Sequence, residues 1–175
     1  LRVADFIFRY LADYGVKCVF LIVGGGAMYL NDALKKSGIK YICNHHEQAC
    51  AMAAEGYARV SGKLGVVCVT SGPGGTNTLT GVISQWLDSV PVLYLSGQVN
   101  FNTTIASMPH LKLRQLGDQE INIIDIVKPV TKYAKMIIQP QEIKEELLKA
   151  IEIATSERPG PVWLDIPLNV QSALC

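Results

Sequence analysis

Six short runs, apolar at nearly every position, alternate along this chain with segments of helical spacing. That alternation narrows the fold more than any other feature. The runs cover residues 18–23, 41–43, 65–69, 91–95, 133–138 and 162–166. A strand half in water alternates apolar and polar residues, whereas a strand covered on both faces does not. Covered strands separated by helices are parallel strands joined by crossovers. We therefore expect an α/β fold, a doubly wound, six-stranded and mostly parallel sheet with helices on both faces.

The helical segments are read from spacing and punctuation. Val3, Phe6, Ile7, Tyr10, Leu11 and Tyr14 recur at helical intervals, and Gly15 stops them. Further helices are predicted to about residue 36, over 46–60, over 76–87, around 121–127 and over 140–156, with a long polar loop at 100–117. Residues 1–175 form one domain, with no repeat and no linker. With 49% hydrophobic residues the chain is too apolar to be disordered. A net charge of +1 excludes nucleic-acid binding by bulk charge and a polybasic membrane anchor. No apolar run approaches the ~20 residues of a membrane span, and no signal-peptide layout opens the chain. The five cysteines are odd in number and contain no CxxC pair, which fits reduced core thiols in a cytoplasmic protein. A start at Leu1 and an end at Cys175 lead us to expect a fragment or a processed chain.

In such sheets a ligand sits beyond the carboxyl ends of the strands. Three segments fall there: Gly24-Gly25-Gly26, Asn44-His45-His46-Glu47, and Ser71 to Asn77. The glycine run does not make a dinucleotide fingerprint, because Tyr29 holds the third glycine place and Asn44 falls where an acid is needed. Gly56 and Gly62-Lys63 are one residue too far apart for a phosphate loop, and Leu64 replaces its Ser or Thr. His45-His46-Glu47 lacks the second histidine spacing of HExxH, so no metal ligand set is assigned, and no GxSxG elbow exists. Gly72-Pro73-Gly74-Gly75-Thr76-Asn77 ends a strand and opens a helix, a place where free backbone N–H groups can meet an anion or a polar ring. Glu47 begins a helix rich in small residues (Ala49, Ala51, Ala53, Ala54, Gly56, Ala58), which leave room for a close neighbour. Glu55 and Arg59 are placed to pair at i, i+4.

Seven stretches stand in register with one known family. They are His46-Glu47-Gln48 with Ala53 to Arg59; Val69 to Gly74 with Thr76-Asn77; Asp88-Ser89-Val90-Pro91; Gly97-Gln98-Val99; Gln119-Glu120; Pro129 to Lys132; and Arg158 to Val162 with Asp165-Ile166-Pro167. Together they resemble the N-terminal pyrimidine-binding domain of thiamine-diphosphate enzymes, in the group of acetolactate synthase and pyruvate decarboxylase. The resemblance runs over essentially the whole chain.

The resemblance implies a carboligase acting on 2-keto acids, of the acetolactate synthase type, a transferase or lyase. It gives Glu47 the role of hydrogen-bonding N1′ of the cofactor's aminopyrimidine, which activates that ring for ylid formation at thiazolium C2. It places Pro73 and Asn77 along the pyrimidine pocket, with Gly72 and Gly74 shaping the backbone. Gly25 and Gly26 match glycines near the reacting centre, and Gln119 matches a glutamine facing the substrate. His110 reads as a surface residue of the long loop. Thiamine diphosphate is the implied cofactor. Mg²⁺ is expected on a C-terminal domain whose Gly-Asp-Gly motif does not occur here, and FAD belongs to the middle domain in part of the family. The implied partners are a small 2-keto acid, the chain's own further domains, and further copies in a homodimer or homotetramer. This chain alone is expected to be inactive. Three departures stand on the substrate side: Ile22-Val23 before the glycines, Asp118 before Gln119-Glu120, and the length of the 100–116 stretch. They leave open a decarboxylase or lyase acting on another 2-keto acid. A non-catalytic α/β binding or regulatory module is the alternative of another class.

Overall fold

The computed structural model describes all residues, 1–175. Its six strands are β1 (Cys18–Leu21), β2 (Lys40–Cys43), β3 (Gly65–Val69), β4 (Val92–Gln98), β5 (Tyr133–Met136) and β6 (Val162–Pro167). They form one sheet in the order β2-β1-β3-β4-β6-β5, and every neighbouring pair is parallel. The expected mostly parallel sheet is thus parallel throughout.

The helices are α1 (Val3–Tyr14), α2 (Met28–Lys36), α3 (Glu47–Ser61), α4 (Pro73–Thr76), α5 (Leu79–Asp88), α6 (Ile123–Val127), α7 (Ile143–Thr155) and α8 (Leu168–Ser172). Successive strand residues face opposite sides of a sheet, so each central strand feeds two cores. Val66 and Cys68 of β3, Leu93 and Leu95 of β4, and Leu164 and Ile166 of β6 join one core with α1, α2, α7 and α8. Val67, Val69, Val92, Tyr94 and Trp163 join the other core with α3, α5 and α6. Trp163 and Tyr94 lie flat on each other on neighbouring strands, with ring centroids 4.7 Å apart. The Tyr94 hydroxyl donates to Gln85 (2.8 Å), and the Gln85 amide donates to the Ala51 carbonyl (3.0 Å), which ties α5 to α3.

Four differences from the sequence reading have physical causes. β2 is an edge strand and all four of its residues are exposed, so its apolar run is not covered on both faces. The helix expected over 76–87 is two helices, α4 and α5, separated at Asn77–Thr78. Residues 140–142 form a tight 3₁₀ turn before α7, because Pro140 opens the turn. α8 follows Pro167 directly, in a stretch where the sequence predicts no element. Its Gln171 is fully buried, and its amide donates to the carbonyls of Ile166 and Gly26 (2.7 Å each).

No helix is long and apolar enough to cross a membrane. Cys18, Cys50 and Cys68 are buried free thiols, while Cys43 and Cys175 are exposed ones, so the cysteines are not all core residues.

Candidate functional site

The chain after β1 turns into α2 on one side of the sheet, while the chain after β3 turns into α4 and α5 on the other. β1 and β3 are neighbours. Their carboxyl ends therefore flank a topological switch point, where the two departing loops leave a crevice. The loops meet there: the Gly26 N–H donates to Thr70 Oγ1 (3.0 Å). The Gly26 carbonyl is held from the other side by Gln171, and Gly97 of β4 presses against that same carbonyl so closely that no side chain fits.

β2 delivers the third segment. Asn44 continues the pairing of β2, its N–H donating to the Leu21 carbonyl (3.2 Å). His46 is extended and caps α3, its Nδ1 accepting from the Gln48 N–H (3.1 Å). Glu47 is thus the first residue of α3, with its carboxylate in the positive field of the helix N-terminus. It is half-buried. One oxygen, Oε2, accepts from Asn77 Nδ2 (2.9 Å), and Oε1 has no partner within the chain. Cys50, one turn further along α3, is fully buried, and burial pushes its thiol up to about 11, so it stays neutral beside the carboxylate.

The 72–77 turn forms the wall opposite Glu47. Gly72 has φ +58° and ψ −120°, a conformation that L side chains rarely adopt. The backbone carbonyl of Gln119 occupies the place a Cβ at Gly72 would take. Pro73 opens α4, where its missing N–H costs nothing. Gly74 faces the carboxylate: a Cβ built there would lie 3.8 Å from Glu47 Oε1 and 2.7 Å from Thr70 Cγ2. A shallow cleft of about 280 Å³ beside Leu21, Val23, Asn31 and Cys43 flanks the same strand ends. A second cleft of about 320 Å³ is lined by Gly72, Pro73, Thr76, Gln115, Gln119 and Glu120.

The structure thus brings together Glu47, Asn77 and Gly74, links them through Thr70 to Gly26, and sets Gln119 against Gly72. Gly25 lies on the same turn as Gly26 but is exposed and touches none of these side chains. His110 is exposed in the long loop. Glu55 pairs with Arg59, as its spacing predicts, and Arg59 also reaches Asp88. Sequence reading missed Thr70, whose signal is a hydroxyl residue closing an apolar strand just before a glycine turn.

The geometry at Gly72 predicts a measurable cost. Gly72→Ala adds a methyl to a positive-φ residue where a carbonyl already sits. We expect a loss of about 1–3 kcal/mol in stability by urea unfolding. An unchanged midpoint would show that the turn can relax.

The donor set suits a flat, nitrogen-bearing heterocycle. A carboxylate with one tethered and one open oxygen can accept from a ring N–H, and the glycine wall beside it leaves space for a ring edge. Residues 1–123 match the family model described as thiamine pyrophosphate enzyme, N-terminal TPP binding domain. Over 171 residues the chain is 42% identical to the probable acetolactate synthase large subunit of Methanocaldococcus jannaschii, across 98% of this chain and 27% of that protein. It is 40% identical over 168 residues to the acetolactate synthase isozyme 3 large subunit of Escherichia coli, across 95% of this chain and 28% of that protein. Against the chloroplastic acetolactate synthase of Arabidopsis thaliana the identity is 37% over 172 residues, 98% of this chain and 24% of that protein. The chain spans about a quarter of the length of these curated relatives.

Proposed function

The chain belongs to the thiamine pyrophosphate enzymes, as their N-terminal TPP-binding domain, and from that premise we propose that it supplies the aminopyrimidine half of an acetolactate synthase-like active site. The observation that carries this reading is the Glu47 carboxylate, fixed by Asn77 through one oxygen and open at the other beside Gly74. The open oxygen shares a proton with ring nitrogen N1′, accepting when N1′ carries it and donating when the carboxyl does. Pro73 and Asn77 line the edge of the ring, and Gly72, Gly74, Gly25 and Gly26 give it room. Gln119, held beside Gly72 at the mouth, faces the substrate. When bound, thiamine diphosphate supplies an acidic carbon and an electron sink for decarboxylating a 2-keto acid. The chain's own task is to orient the ring, exchange a proton at N1′ and present Gln119.

The diphosphate and Mg²⁺ belong, in this reading, to a further domain, and the site closes when that domain, from the same or a partner copy, covers this one. Outward-facing apolar residues support it: on the mutually packed α3 and α5, Met52 is 48%, Ile83 43% and Trp86 39% exposed. The test is an assay of the full-length protein with thiamine diphosphate, Mg²⁺ and a panel of 2-keto acids, following CO₂ release and products. Condensation of two keto acids supports a carboligase, and release of an aldehyde alone points to a decarboxylase. Absence of cofactor binding overturns the reading.

A further inference from the structure

Glu120 is the acid that the site as described leaves without a task. It is only 7% exposed, and no cation reaches it. Both of its carboxylate oxygens are spent on backbone. Oε1 accepts from the Ile105 N–H (2.7 Å), and Oε2 accepts from the Leu116 N–H (3.0 Å). One side chain therefore joins two points of the long loop that lie far apart in sequence. Charge-assisted bonds of this kind are about twice as strong as neutral ones.

The same short segment is anchored on its other side. The Gln98 amide donates to the Ile121 carbonyl (3.1 Å), which fixes the chain just after Glu120 to β4. Between these anchors Gln119 holds a left-handed backbone, φ +54°, and its carbonyl abuts Gly72. A non-glycine residue keeps such a conformation only where its surroundings impose it. Here the surroundings are the Glu120 clamp, the Gln98 bond and the Gly72 wall.

We propose that Glu120 is a positioning residue: by clamping the 105–116 loop through both carboxylate oxygens it holds Gln119 at the mouth of the cofactor site. The proposal rests on the reading of Gln119 as the residue that meets substrate. It assigns the loop a role in the reaction. The loop sets how Gln119 meets the keto acid and leaves the Glu47 side of the pocket untouched.

The experiment uses the full-length enzyme with Glu120→Gln, Glu120→Asp and Gln119→Ala. An amide in place of the carboxylate keeps the volume and offers an N–H₂ where a backbone N–H needs an acceptor. We expect amide exchange at Ile105 and Leu116 to quicken by at least ~10-fold in Glu120→Gln. KM for the keto acid should rise by ~10- to 100-fold with it, since a misplacement of about 1 Å costs that much. Kd for thiamine diphosphate, measured by fluorescence quenching without substrate, should rise far less than KM, because this segment meets the pocket only at the Gly72 wall and touches neither Glu47 nor Asn77. Glu120→Asp, which restores the charge on a shorter stem, should recover part of the lost protection and part of the KM. Unchanged exchange at the two amides overturns the clamp. A raised KM in Gln119→Ala beside a normal KM in Glu120→Gln overturns the positioning role alone. A normal KM in Gln119→Ala overturns the reading of Gln119 itself, and the proposal with it. A loss of cofactor affinity in step with KM marks Glu120 as merely structural.

Discussion

Full-length enzyme carrying Glu47→Gln is expected to fold and to bind thiamine diphosphate while losing turnover by ~100- to 10,000-fold, the range that a positioned acid–base group contributes. The structure separates the two effects. His46 caps α3, and it does so without help from Glu47, so the helix keeps its start. Asn77 needs an acceptor at the old Oε2, and the glutamine carbonyl supplies one. The pocket keeps its shape because the two side chains are nearly isosteric. What is removed is the open oxygen that can take and return a proton: the amide group turned toward the ring donates and cannot be protonated there. Hydrogen–deuterium exchange at the cofactor's C2 should slow in step with turnover. The Asn77→Ala enzyme should fall between wild type and Glu47→Gln, because it frees the carboxylate to rotate without removing it. Near-normal turnover in Glu47→Gln would defeat the assignment of Glu47.

How much of this was legible beforehand depended on whether the governing contact was local. β3, β4 and β6 were legible because each is buried on both faces and writes that burial as an unbroken apolar run. Gly15 ends α1 with a left-handed φ of +102°, a local rule that can be read from one residue. β2 looked the same as the others because the three-residue apolar run at 41–43 carries no record of whether a neighbour covers it. α8 was missed because five residues give no period to count. The pairing of Glu47 with Asn77, 30 residues away, left no trace in spacing; only the family resemblance placed both at one ring. Glu120 was visible as half of a motif, yet its partners are two backbone N–H groups, and backbone donors have no sequence signature. The sheet, in short, is encoded in side-chain patterns, whereas the site is encoded in where the sheet's topology carries loops.

Asp165 shows the same non-local logic and gives the second large effect. It sits in β6 with no exposed surface, opposite Ser96 of β4. Ser96 Oγ donates to Oδ1 (2.6 Å) while accepting from Trp163 Nε1 (2.8 Å), and the Gln98 amide donates to Oδ2 (3.1 Å). Burial pushes the carboxyl up from 3.8 to about 7; the two hydrogen bonds oppose the rise and the like charge of Glu120 adds to it. Since the folded pKa lies above the unfolded one, both states hold the proton at low pH. As pH rises past about 4 the unfolded chain releases its proton and the folded chain does not, so stability falls until about pH 7 and then levels. Between pH 5 and 7 this one group removes about 2 kcal/mol, the full slope of about 1.4 kcal/mol per pH unit easing as the folded pKa is reached. Asp5 and Glu146, held below the usual carboxylate range by Arg2 and by Lys135 with Tyr133, act in the opposite direction, so the total pH profile mixes signs. Comparison with Asp165→Asn isolates the term. The asparagine still accepts from Ser96, and its amide meets the Gln98 amide as donor against donor, a cost that does not change with pH. Urea unfolding of this chain from pH 5 to pH 8 should therefore show wild type losing about 2–3 kcal/mol relative to Asp165→Asn, with the difference levelling above pH 7. Parallel curves for the two proteins would mean that Asp165 is ionised in the fold, and the Ser96–Asp165–Gln98 cluster would then be a settled anion site instead of a protonated one.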